Sequence, residues 1–459
     1  TLTLSGANTY TGTTTVSAGT LTVTGSLSDS TAVTVDSGAT YNVNASDTVG
    51  SIAGAGSITT STAGAKTLTV GNDATSTTFS GVISDGSGQL LLTKVGAGTL
   101  TLSGANTYTG LTTINAGSLS LTGSGSISAS SGVVNNATFD ISGTTTGATI
   151  TSLTGNNSSS LVLGGKVLTL SNTSGEYAGV ISGALGSLVV TAGNLTLSGT
   201  NTYTGGTTIN SGSLTVASTG NLGATTGNLT LSGSAILDLK AGVTIGNLVM
   251  TSGNSITNSS GASSLVVGGT STLGGTITTS GIQTYTGAVT LAANTTLNAN
   301  YTSANGAVTF SATVNSSSTA YGLSVSTGTA TTTFTGAVGA TNALAYLTTS
   351  GDASLADNVT TVGAQNFGGD LTLTGSSITL NTTNSNVNIT GDVIASSSGS
   401  VLSYLTSSTW TTTQNGNNPF QLLNIDLGQN WIFQADYLVG SKDSGGLKTN
   451  LSYGSNTDG

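Results

Sequence analysis

The chain has no cysteine, no histidine and no arginine, one proline, and only 5% charged residues over 459 positions. Without His or Cys there is no Ser-His-Asp triad, no cysteine nucleophile and no zinc site of the usual kind. Large repetitive exported proteins often lack disulfides, so the missing cysteine is compatible with export without requiring it. Six lysines face 16 acids, a net charge of −10. Nucleic acid and anionic lipid both need clustered cations, so neither is an expected partner. No apolar run approaches the roughly 18 residues of a membrane helix. Two Trp, seven Phe and 12 Tyr, scattered as they are, are poor material for the aromatic girdles of a membrane barrel. Membrane insertion by this segment is not expected.

What is present is glycine, 68 residues of it, set among abundant Ser, Thr and Asn. Hydroxyls and amides must keep this surface wet. Disorder goes with low hydrophobicity and high net charge. Here 36% of residues are hydrophobic and the mean hydropathy is +0.21. The apolar residues alternate with polar ones, the mark of a half-buried strand. Short strands such as Thr20-Leu-Thr-Val and Ala32-Val-Thr-Val are separated by Gly, Asn, Asp and Ser, which tolerate the conformations of tight corners.

The strands belong to long repeats. Residues 2–23, 100–121 and 195–216 read LTLSGANTYTGTTTVSAGTLTV, LTLSGANTYTGLTTINAGSLSL and LTLSGTNTYTGGTTINSGSLTV. Leu2, Leu100 and Leu195 begin them, so the offsets are 98 and 95. Phe79-Ser-Gly-Val-Ile-Ser and Tyr177-Ala-Gly-Val-Ile-Ser lie upstream of the second and third copies, again 98 apart. A second class follows: GIQTYTGAVTL at 281–291 and GAQNFGGDLTL at 363–373, offset by 82. The division expected is 1–270 for the first class, 271–400 for the second, and 401–459 as an aromatic-richer end segment. The chain begins at Thr1 and reads as a piece of something longer.

Modules of this length without hairpin signals or linkers predict stacked coils of roughly 20–22 residues. The fold expected is all-β: a right-handed parallel β-helix, or β-solenoid, of about 20 or more coils, on the order of 100 Å long at one strand spacing per coil. A string of antiparallel sandwiches is the competing architecture, since each would have about 100 residues. The change of module length without linkers argues against it.

GAGTLTLSGANTYTG (96–110) and SGVIS (80–84) resemble the passenger-associated transport repeat of bacterial autotransporters. The stretch from 281 to 400 is similar to repeats of filamentous-haemagglutinin-like giant adhesins. The resemblance implies a β-helical passenger, exported across the outer membrane and displayed at the bacterial cell surface or released.

No residue set stands out as catalytic, cofactor-binding or metal-ligating. The closest acids are Asp352 with Asp357, Asp29 with Asp36, and Asp436 with Asp443. Their spacing suits turn capping better than paired carboxylate catalysis. A calcium site needs six or more oxygens and a tandem Gly/Asp pattern that the isolated Gly368-Gly369-Asp370 does not provide, so no cofactor is expected. Asn8, Asn106 and Asn201, with Tyr10, Tyr108 and Tyr203, mark the repeat. Asn suits a corner and Tyr suits cover over a neighbouring coil, so a structural role is expected of them. Trp410, Trp431 and Phe433 read as a contact surface or as capping of the column. Together these features point to a non-enzymatic stalk of a secreted adhesin serving adhesion, aggregation or biofilm. Its partners would be host or neighbouring-cell surfaces, glycans or further copies of itself. The alternative is a self-assembling subunit of an extracellular filament or surface layer.

Overall fold

A computed structural model describes residues 1–383, 385–395, 401–405 and 411–412. The described residues are β-strands, turns and one 3-10 turn, Tyr301–Ser303, with no α-helix. The described strand pairings are parallel, each strand hydrogen-bonded to those one coil away in sequence. This is a β-solenoid of about 20 turns, and the sandwich alternative falls with it. Coil length varies: Tyr41 lies opposite Ile58, 17 residues on, and Leu297 opposite Val325, 28 residues on.

The strands form because of their side-chain period. In Thr99–Leu102, Leu100 and Leu102 point inward and are buried, while Thr99 and Thr101 are half-buried on the outside. Each coil adds similar inward residues, and a fully buried Leu or Val contributes about 1.5–3 kcal/mol. The column grows by one such increment per strand.

The chain divides into two compact units, Thr1–Gly246 and Asn247–Gly459. In the first unit three sheets surround the column. The first face starts at Leu2–Leu4 and runs to Val82–Ile83; the second starts at Thr14–Val16 and runs to Val180–Ser182; the third starts at Asp47–Val49 and runs to Leu153–Thr154. The chain circulates third, second, first. Further along, Ala148–Ile150 takes the first-face place in this circuit. Thr173–Tyr177 takes the third, joined to it by the Gly155–Tyr177 bridge.

In the second unit the circuit is again three-sided. One face carries a stacked aromatic column: Tyr285 on Phe310 with ring centroids 5.2 Å apart, and Phe310 on Phe334 at 4.9 Å, the planes within 13° and 7° of parallel. These rings follow strand register, Tyr285 opposite Phe310 and Phe310 opposite Phe334. Parallel in-register stacking places like side chains one above another, which is the offset-stacked geometry aromatic rings favour.

Candidate functional site

Each copy of the first repeat contains a strand, then the Asn-Thr-Tyr-Thr-Gly corner, then another strand. The corner stands where a face would otherwise carry a regular strand. Asn8–Gly12 occupies the third-face place, Asn106–Gly110 the first and Asn201–Gly205 the second. From one copy to the next the chain completes four full circuits and two further faces. The 98-residue offset therefore corresponds to about 21 residues per coil, and successive corners fall on different faces.

Backbone groups at such an irregular place need side-chain partners. Asn106 supplies them. Its Oδ1 accepts the Ile83 N–H of the preceding coil at 2.9 Å. Its Nδ2 donates to Gly104 O at 2.9 Å and to Ser126 O of the following coil at 3.0 Å. Asn201 repeats the pattern with Ile181 N–H at 2.9 Å, Gly199 O at 3.1 Å and Asn221 O at 2.9 Å. Asn8, in the first coil, donates to Gly6 O and Ser26 O, both at 2.9 Å. One amide thus joins three successive coils in the second and third copies.

The two shared phrases of each module are partners across a coil. Ile83 and Ile181, whose N–H groups meet the asparagines, are the isoleucines of SGVIS and AGVIS. The glycines agree. A Cβ on Gly104 would lie 1.9 Å from Gly81 O, and one on Gly199 would lie 1.9 Å from Gly179 O. Only glycine permits that approach.

Tyr108 and Tyr203 are fully buried. The Tyr108 hydroxyl shares a 2.7 Å hydrogen bond with Thr112 Oγ1, which shares another of 3.0 Å with Ser130 Oγ. Ser130 Oγ also donates toward Gly110 O and Gly132 O. Tyr203 pairs with Thr207 at 2.6 Å, and Tyr10 with Thr14 at 2.8 Å. Burial pushes the Tyr108 and Tyr203 hydroxyls well above the ordinary tyrosine range, the threonine bond acting the other way. They are neutral hydrogen-bond partners at any ordinary pH. Tyr10 is 43% exposed.

Sequence reading passed over Thr14, Thr112 and Thr207, though each stands four residues after its tyrosine. It also passed over Gln283 and Gln365, the fully buried counterparts of the asparagines in the second repeat class. Gln283 Nε2 donates to Ile277 O, Thr279 Oγ1 and Asn298 O; Gln365 Nε2 donates to Val359 O, Thr361 Oγ1 and Asn381 O. Lys94 is a further omission. It is 1% exposed, and its Nζ donates to Val95 O at 2.6 Å, Gly96 O at 2.8 Å and Ala116 O at 3.2 Å. Burial lowers its pKa, with Asp73 acting in the opposite direction. The signal was a lysine at an inward position of the alternating strand Gln89–Lys94.

The acids serve backbone. Asp47 accepts N–H groups of Leu27 and Thr48 and the Tyr41 hydroxyl. Asp352 Oδ1 accepts the Asp370 N–H and Asp370 Oδ1 the Asp392 N–H, each one coil on. Asp357 Oδ1 accepts the N–H of Asn358. Asp436, Asp443, Trp410, Trp431 and Phe433 lie outside the described residues.

Residues 1–23, 92–121 and 192–216 match the passenger-associated-transport-repeat family. No curated protein and no solved structure matches the chain. The matched segments end, in each copy, on the second strand after the Asn-Tyr corner, so each includes the corner. Repeats of this kind imply a secreted or cell-surface protein. With three such repeats built into a β-solenoid, the chain fits the passenger domain of an autotransporter.

Proposed function

We propose that the chain is a shaft of a secreted bacterial cell-surface adhesin. It would hold a binding region away from the cell and so support adhesion, aggregation or biofilm, with no catalysis of its own. The observation that supports this reading is the use made of the polar side chains at the repeat corners. Asn106 and Asn201 spend their hydrogen bonds on neighbouring coils, and Tyr108 and Tyr203 spend theirs on threonines of their own coil. Such bonding contributes stiffness and uniform stacking and leaves these side chains no free polar atom for a ligand.

The distribution of the corners supports the same reading. A layer-forming subunit needs its contact features on one side. Here the three corners fall on three faces, and the exposed valines of the second shared phrase fall on two: Val82 on the first face and Val180 on the second. A shaft has no need of a preferred side.

Electron microscopy of native cells with an antibody against this segment tests the proposal. One label at a fixed height on each thin fibre is the expected result. Labels repeating at regular intervals along one fibre would overturn it in favour of a polymerising filament subunit.

A further inference from the structure

The two inward glutamines of the second unit, each the first residue of a strand (Gln283–Tyr285 and Gln365–Phe367), are built alike and finished differently. Both Gln283 and Gln365 are fully buried. In each, Nε2 faces a strand carbonyl, a threonine hydroxyl and a carbonyl of the next coil. Three acceptors around one amide nitrogen fix which end of the side chain is which. Oε1 must then find its own donor. For Gln283 it is the Tyr285 hydroxyl, at 3.1 Å. For Gln365 the residue two positions on is Phe367, and Oε1 has no partner.

A second unpartnered atom lies on the facing coil. Thr349 is opposite Phe367 in strand register, is 1% exposed, and its Oγ1 makes no hydrogen bond. The side chains stacked on the ring are also smaller than at the Gln283 strand. Tyr285 stands between Val267 and Phe310, whereas Phe367 stands between Thr349 and Ile389. A hydroxyl has been lost from one ring and a neighbouring ring replaced by an aliphatic side chain.

We propose that Gln365 Oε1 is an internal binding site for one water molecule, which supplies the donor that the Tyr285 hydroxyl supplies to Gln283. The water donates one hydrogen to Gln365 Oε1 and bonds to Thr349 Oγ1 with its remaining capacity. Two polar partners are the minimum for an ordered buried water. No protein hydroxyl can take its place, because position 367 is phenylalanine. The column of the second unit therefore takes a water at this coil, where the Gln283 strand uses the Tyr285 hydroxyl.

Crystal structures of the full chain and of its Phe367→Tyr and Gln365→Leu variants test this. A water peak within hydrogen-bond distance of Gln365 Oε1 in the wild type is expected. In Phe367→Tyr the tyrosine hydroxyl should replace it, and in Gln365→Leu the peak should vanish. Protease cleavage near residue 365 should be no faster in Phe367→Tyr than in the wild type, because a hydroxyl replacing an ordered water keeps the bond and frees the water. A wild-type density map without that peak would overturn the proposal, whatever the variants do. So would cleavage at least tenfold faster in Phe367→Tyr, which would mean that the space was already filled.

Discussion

Asn106 is a small side chain with consequences on three coils. Replacing it with Leu keeps the volume but leaves the Ile83 N–H without a partner; Gly104 O still receives the Ser126 N–H at 3.1 Å, and Ser126 O the Asn106 backbone N–H at 3.0 Å. The expected cost is about 3 kcal/mol. Hydrogen exchange should show it as faster exchange of the Ile83 amide, with distant coils unchanged. The tyrosines should differ from each other. In Tyr108→Phe the Thr112 hydroxyl retains Ser130, so the loss should be about 1 kcal/mol. In Tyr203→Phe the Thr207 hydroxyl, 2% exposed, loses the bond it shares with Tyr203, and the loss should be nearer to about 2 kcal/mol. Equal losses in local exchange experiments would count against the Thr112–Ser130 relay. Two acids respond to pH in opposite directions. Burial alone would raise Asp73, but bonds from the Thr75 N–H and the Ser51 and Thr75 hydroxyls outweigh it and hold it below its ordinary 3.8. A depressed carboxylate adds stability above its unfolded pKa that disappears as pH falls through the folded one. The melting temperature of the wild type should therefore fall relative to Asp73→Asn on acidification below about 3.8. Asp47 is raised by burial, so its contribution has the other sign: full below its unfolded pKa and lost as pH rises through the folded value. That is why the comparison must be made against Asp73→Asn and not read from the wild type alone.

At the scale of strands and corners, corner length and corner chemistry are coupled. The strand Gln89–Lys94 and the strand Ser187–Val190 precede equivalent LTL strands, and Lys94 stands where the later module has Val190. Five residues separate Lys94 from Leu100; four separate Val190 from Leu195. The extra residue leaves more backbone carbonyl to satisfy, and the Lys94 ammonium satisfies the carbonyls of Val95 and Gly96. Lys94→Val alone should open this corner to protease. Lys94→Val with Gly96 deleted should restore the resistance of the shorter corner. If the double change cleaves as fast as the single one, the lysine is not compensating for corner length. Glycine stacking belongs to this scale too. Gly104→Ala places a methyl 1.9 Å from Gly81 O, so the two phrases of the module must part there.

For the molecule as a whole, stability in a solenoid is close to a sum over coils and their interfaces. Leu102→Asp buries an unpaired charge in one coil and should open the column locally. A new protease site near residue 102, with distant coils still resistant, is the expected outcome; no new cut would contradict the packing described. The module arithmetic predicts something less familiar. Deleting Leu100–Asn194 joins Thr99 to Leu195, so the third copy meets the Phe79–Ser84 phrase in place of the second. Local contacts are kept while the first unit's downstream faces each move one place around the circuit. The variant should retain its β circular dichroism and its resistance to protease. Collapse of either would mean that modules depend on the particular face they occupy.

The sequence by itself determined the strands, their inward faces and the parallel stacking. Alternation of Leu and Thr is a local property, and it decides burial wherever the strand is placed. The corner residues were legible as repeats, but their partners were not. Ile83 and Asn106 are 23 residues apart, Ile181 and Asn201 are 20, and coil length varies enough that spacing alone does not pair them. Lys94 and Gln365 were hidden for a related reason: their carbonyl partners come from corners and neighbouring coils, which exist only after the coils have stacked. The face on which each module falls was decided by tertiary structure alone. It depends on the number of strand places between copies, including those filled by a corner instead of a strand, and only closure of each coil against its neighbours fixes that number.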